Sequence, residues 1–180
     1  GHPPAGRRGP VIIRNTTILD FASLGRRTGV DVLVSGGRIR RIAAGLAGTS
    51  AASGECIDAT GLYLIPGLVN AHCHAAMTLL RGAAEDCLVE DWFNRKIWIY
   101  EQALTPEDVY WGSLLAHAEM LLAGVTCVAD HYFAMARAFE ACEASGIRAD
   151  LAWAVFGTGE GWQRQYDEAL EFTAAHAGRN

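Results

Sequence analysis

After Pro66-Gly67 the chain alternates apolar strands with amphipathic helices, and this alternation constrains the fold more than any other feature of its 180 residues. LVNAHCH reads as the first strand, VTCVADHY as the second and IRADLAWAVF as the third. The segments between and after them read as helices: LTPEDVYWGSLLAHAEMLLAG, AMARAFEACEAS closed by Gly146, and WQRQYDEALEFTAAHA. The first of these carries boundary chemistry. Thr105 is placed to N-cap, Pro106 occupies the first helical position, Glu107 and Asp108 meet the positive end of the dipole, and Gly124 ends the helix. Trp111, Leu115, Ala118 and Leu122 recur at helical spacing along it. Strands joined by helices pair in parallel and bury both sheet faces, so three βα units leave an edge that needs a cover. The expected fold class is α/β: the opening three units of a (β/α)8 TIM barrel, a fold that takes about 250 residues.

Before Pro66 the pattern is different. VIIRNTTIL, VDVLV, a Ser35-Gly36-Gly37 turn and RIRRI read as short strands and tight turns, followed by the loop AAGLAGTSAASG and the extended pieces Cys56-Ile57-Asp58 and Tyr63-Leu64-Ile65. The expected organisation is a mobile tail over 1–10, a small β-rich unit over 11–65, and the α/β region over 66–180. Arg7, Arg8, Arg14, Arg26, Arg27, Arg38, Arg40 and Arg41 crowd the early chain and read as solvated strand faces. The net charge of −5 argues against a phosphate-neutralising surface, hence against nucleic acid as a partner. The five cysteines form no CxxC pair, which suits packed, reduced thiols in a cytoplasm. No apolar run approaches the roughly 18 residues of a membrane span, so no membrane association is expected.

Two histidines stand out in the first strand. Residues i and i+2 share a strand face, so His72 and His74 project together while Cys73 points away. Imidazole is the commonest nitrogen ligand for zinc and similar metals, and barrel sites gather at the C-terminal ends of strands. The alternative is a pair of core histidines bonded to backbone carbonyls. Ala75, Ala76 and Thr78, which follow, leave room for a ligand.

GLYLIPGLVNAHCHAAMTLLRG, together with VDVLVSGGRIRRI and LTPEDVYWGSLLAHAEMLLAGVTCVADHYF, resembles the amidohydrolase superfamily. Within it the likeness is to the metal-dependent deaminases of the methylthioadenosine/S-adenosylhomocysteine deaminase and chlorohydrolase group. The resemblance implies a small β-sandwich packed on a (β/α)8 barrel that holds one divalent metal, zinc first and iron second. His72 and His74 match the first two ligands. The remaining ligands, the catalytic glutamate and a further histidine are expected beyond Asn180, so no catalytic residue is assigned here. The implied reaction is hydrolytic deamination of an amino-substituted heterocycle, most naturally an adenine nucleoside, by hydroxide generated at the metal with release of ammonia. Guanine or pterin deaminases and triazine chlorohydrolase-like enzymes are the alternatives, and a non-catalytic barrel relative is a third. Trp92 matches an aromatic residue near the substrate, in a segment that folds over the pocket. Glu101 matches a glutamate that accepts hydrogen bonds from ribose hydroxyls, a task suited to a carboxylate facing a vicinal diol. Trp153 stands where some nucleoside deaminases of the group carry an arginine, which disfavours a substrate with a carboxylate tail. The small-molecule enzyme is expected to be a cytoplasmic homo-oligomer.

The other polar residues carry weaker assignments. Asp130 and His131 end the second strand and read as a strand-end pair bonded to a loop, with a pocket position as the alternative. His117 reads as structural, His176 as a helix-end partner of the dipole, and Lys96, the only lysine, decides nothing. FGTGEGW resembles a dinucleotide-binding turn, but Trp162 occupies the third glycine position of that fingerprint and is too bulky for the close helix contact.

Overall fold

The structure is a computed structural model that describes residues 9–46, 54–157 and 160–178. The expected tail over 1–10 and the loop over 43–54 fall largely outside these residues. Two compact units form, Gly1–Pro66 and Gly67–Asn180, and the architecture is mixed α/β.

The first unit holds a five-stranded sheet. Strands β1 (Val11–Asp20), β2 (Gly25–Ser35) and β3 (Arg38–Ala43) run antiparallel, and β4 (Glu55–Asp58) and β5 (Tyr63–Leu64) add to β1 in parallel. The β2–β3 hairpin closes through Gly36 and Gly37, both at positive φ, which the two-residue turn between right-twisted strands requires. Ile12 and Val32 are both buried, and because Ile12 pairs with Leu33 and Ile13 with Val32 they lie on opposite faces of the sheet. Asn15 adopts φ 54° where β1 bulges, and its amide donates to the buried Asp31 carboxylate at 2.8 Å. Arg14, Arg26, Arg27, Arg38, Arg40 and Arg41 do lie outward, Arg14 pairing with Asp58 at 2.6 Å and Arg40 donating to the Ser35 carbonyl, while Arg7 and Arg8 lie outside the described residues.

The second unit is built on the parallel sheet β6 (Leu68–Cys73), β7 (Val125–Tyr132) and β8 (Arg148–Trp153), in the order β6-β7-β8. Between β6 and β7 the chain runs through a 3-10 helix, Ala75–Leu80, and then a helical stretch over 89–101. That stretch consists of α1 (Val89–Asp91), a π-helical Trp92–Ile97 and α2 (Trp98–Glu101). Helix α3 (Pro106–Leu122) follows, α4 (Met135–Ser145) links β7 to β8, and α5 (Trp162–His176) follows β8. Thr105 caps α3 in a capping box with Asp108, and Gly146 closes α4 at φ 75°. Gly112 of α3 admits the 3-10 helix closely: a Cβ there would stand 2.5 Å from the Ala76 carbonyl oxygen. The core forms where Ala76, Val109, Tyr132, Met135, Ala138 and Phe172 meet, with a second cluster of Val128, Cys142 and Ile147. Buried positions alternate at the end of β7, so Val128, Asp130 and Tyr132 share the buried face and His131 takes the opposite one.

Candidate metal centre

His72 is the exposed penultimate residue of β6, and His74 follows the strand's last residue, Cys73. Their ring centroids are 5.1 Å apart, at an interplanar angle of 75°. Cys73 does point the other way: it packs against the Val128, Cys142 and Ile147 cluster, and burial pushes its thiol up to about 11. The strand period thus sorts one thiol into the core and two imidazoles away from it.

Neighbouring chain fixes His74 at several atoms. Its Nδ1–H donates to the His131 carbonyl oxygen at 2.7 Å, and the His131 Nδ1 lies 3.3 Å from the same atom. A carbonyl can only accept, so Nδ1 is the donor, and in the neutral ring the lone pair is on Nε2. The His74 carbonyl in turn accepts from the Met77 amide, and the Ala75 amide donates to Asp130 Oδ1 at 3.0 Å. Asp130 is almost wholly buried, which raises its carboxyl above the ordinary range, while the Ala75 amide works in the opposite direction. Both strand-end residues, Asp130 and His131, therefore serve the turn after β6, and both also line a cleft of about 240 Å³ with His72, His74 and Asp150.

Two imidazoles from one strand end, one of them presenting a free Nε2 and both lining a cleft, suit a first-row divalent metal. Among the described residues no group of three or more His, Cys, Asp or Glu side chains converges on a metal position.

Trp92 and Glu101 do not line this cleft. Trp92 opens the π-helical turn, half-buried and edge-on to Phe93 at 4.9 Å. Glu101 ends the helical stretch, half-buried, where its Oε1 accepts from the Tyr132 hydroxyl at 2.8 Å. Tyr132 connects the two regions, since its ring lies 6.4 Å from that of His74. Burial first, and Glu101 second, hold its phenol far above the usual range, so it stays a donor. Nothing in the sequence pattern singles out Tyr132 beyond its place at the strand end beside His131. Trp153 packs against Phe172, with centroids 5.9 Å apart, and does not line the cleft. His117 is fully buried between α3 and α4, with Ser145 Oγ 3.2 Å from Nδ1 and Cys142 Sγ 3.9 Å from Nε2. His176 donates to the Phe172 carbonyl in the last turn of α5.

Residues 63–177 match the Amidohydrolase family, and the chain belongs to that family. Two curated relatives are a 5-methylthioadenosine/S-adenosylhomocysteine deaminase of Desulforudis audaxviator and a 5'-deoxyadenosine deaminase of Methanosarcina mazei. The first is 44% identical over 176 residues, covering 94% of this chain and 40% of that protein. The second is 43% identical over 146 residues, covering 79% and 32%. Among solved structures, an adenosine deaminase from Xanthomonas campestris with bound zinc superposes with a TM-score of 0.82 at 28% identity, over 98% of this chain and 41% of that one. The chain thus spans about two fifths or less of the length of these proteins. Among the described residues no helix is long and apolar enough to cross a membrane.

Proposed function

We propose that the protein containing this chain is a metal-dependent hydrolytic deaminase of an adenine nucleoside. The observation that carries this reading is the pair of imidazoles at the end of β6, lining a cleft in an amidohydrolase-family chain whose relatives include named nucleoside deaminases. The region after Pro66 is the opening of a (β/α)8 barrel, and 11–65 contributes to a small β-sandwich. In this reading the further ligands and a proton-shuttling carboxylate would come from outside this chain, which covers 40% of the Desulforudis audaxviator relative.

His72 and His74 would hold the metal, zinc first and iron second, and the Xanthomonas campestris adenosine deaminase on which the chain superposes has bound zinc. When bound, such an ion supplies Lewis acidity that brings a water's pKa down to about 7. The chain's own residues do the positioning. The His131 carbonyl fixes the His74 ring orientation and tautomer, so that Nε2 is the nitrogen offered to the metal. Asp130 anchors the Ala75 amide, so the turn that follows His74 cannot drift. Glu101 offers a carboxylate to the vicinal hydroxyls of a ribose, and Trp92 an aromatic face to the substrate. At Trp153 an aromatic ring packed in the core provides no cation for a carboxylate tail. This favours a nucleoside with a neutral 5' substituent. The enzyme acts as a cytoplasmic homo-oligomer in this reading.

The test uses the full-length protein. Wild type should bind about one metal per chain and release ammonia from adenosine or 5'-deoxyadenosine, while His72→Asn should lose most of the metal and activity by about a thousandfold or more. Full metal occupancy in His72→Asn would refute the ligand assignment. Ammonia from guanine or a pterin alone, or chloride from a chlorotriazine, would redirect the substrate.

A further inference from the structure

The inference rests on the deaminase reading and concerns how Glu101 is held. Glu101 ends the helical stretch over 89–101, at the negative end of the helix dipole, where a carboxylate is disfavoured. It therefore needs a donor to stay in place, and the donor is the buried Tyr132 hydroxyl at 2.8 Å. That bond occupies Oε1 and leaves Oε2 for a ligand. The stretch itself is built to set this carboxylate. Its middle, Trp92–Ile97, is π-helical, an irregularity frequent at functional positions. The next turn is clamped by aromatic edges, with Trp98 5.5 Å from Phe156, Phe156 5.9 Å from Phe133, and Phe133 5.2 Å from Tyr132. The clamp thus returns to the residue that bonds Glu101.

Tyr132 also has a meaningful neighbour. His131, the residue before it, uses its carbonyl to orient His74. Two consecutive residues at the end of β7 thus hold one group at each end of the proposed site, the backbone of His131 a metal-side imidazole and the side chain of Tyr132 the carboxylate. We propose that Tyr132 is a positioning residue for diol recognition: it locks the Glu101 carboxylate so that its free oxygen meets the 2' and 3' hydroxyls of a nucleoside, at a spacing from the metal side set by one strand end.

The test compares a ribonucleoside with its 2',3'-dideoxy analogue in the full-length metal-loaded enzyme, by kinetics and by equilibrium calorimetry with a non-reactive purine nucleoside. Tyr132→Phe keeps the packed ring and deletes the donor. The expected result is a KM for the ribonucleoside raised roughly tenfold, the loss typical of one hydrogen bond to a charged group, with kcat within about twofold. The dideoxy KM should stay unchanged, and the calorimetric affinities should shift in the same ratio. In a Glu101→Ala background, adding Tyr132→Phe should raise the ribonucleoside KM no further. Equal losses for both nucleosides, or a further loss in that background, would reduce Tyr132 to a packing role and overturn the proposal while the deaminase reading stands. A wild-type enzyme that deaminates both nucleosides equally well would overturn the role of Glu101 and this proposal together. Failure to deaminate any adenine nucleoside would overturn the adenine-nucleoside reading, and the proposal with it.

Discussion

The sheet of the first unit and the strand ends of the second handle polar groups in opposite ways. In the first unit the exposed groups are steadied in their charged forms. The Thr60 hydroxyl and then Arg14 bring Asp58 down to about 2, and the Ser23 hydroxyl with neighbouring amides lowers Asp20. Around β7 and α4 burial works against charge: Asp130, Tyr132, Cys73 and Cys142 are raised, Cys142 up to about 12, and His117 is lowered. Groups held in their charged form by short local bonds are structural fittings. Of the groups that packing forces toward neutrality, Asp130 and Cys73 line the histidine cleft and Tyr132 adjoins His74, while His117 and Cys142 meet in the packing of α3 on α4. The contrast teaches where to look for function in this chain, and the histidine pair lies at the edge of the second environment.

The largest effect on that contrast should come from Gly112→Ala. The new Cβ would press on the Ala76 carbonyl at 2.5 Å and on Leu79 Cγ at 3.1 Å, so α3 and the 3-10 helix must separate. The expected cost is about 1–3 kcal/mol, read by denaturant unfolding. Because the displaced turn follows His74, metal occupancy of the full-length protein should fall as well. A neutral outcome would show that this close approach does not position the turn.

A smaller effect should follow from pH. His117 is buried and held neutral, with its folded-state pKa below the ordinary value of 6.5. Below about pH 6.5 the unfolded chain binds a proton that the folded chain refuses, so stability falls as the pH drops through that range toward the lower folded-state value. Peptide-resolved hydrogen exchange should show α3 and α4 loosening in this window, and His117→Gln should flatten the dependence. An unchanged slope in His117→Gln would assign the acid sensitivity elsewhere.

Asp58→Asn should have the smallest effect. The carboxylate is exposed, and surface pairs of this kind add little. Its folded-state pKa of about 2 lies below the ordinary 3.8, so its contribution is present above about pH 4 and is lost as the pH falls toward 2. The variant should match wild type at pH 7 and differ from it only in that acid arm, as judged by exchange in β1 and β4. A marked loss at neutral pH would break the distinction between the two regions.

Much of the fold was legible in the sequence because its signals are local. The strand VTCVADHY runs over the residues that form β7, and Thr105 caps α3 as its spacing predicts. The two-residue strand period placed His72 and His74 away from Cys73, and the structure keeps that separation. The 3-10 helix after His74 and the π-helical turn at Trp92 were not legible, since both depend on what the segment packs against rather than on its own pattern. Asp130 was read as a loop partner or a pocket residue, and the structure gives it both places.

The sequence by itself determined the alternation of elements and the separation of the two imidazoles from Cys73, which follow from backbone periods of two or 3.6 residues, and the start of α3, which follows from its capping residues. Tertiary structure alone decided that the His131 carbonyl orients His74 and that Tyr132 holds Glu101. Those partners lie 57 and 31 residues apart along the chain, and no local period encodes a meeting between side chains whose distance is set by how helices and strands stack.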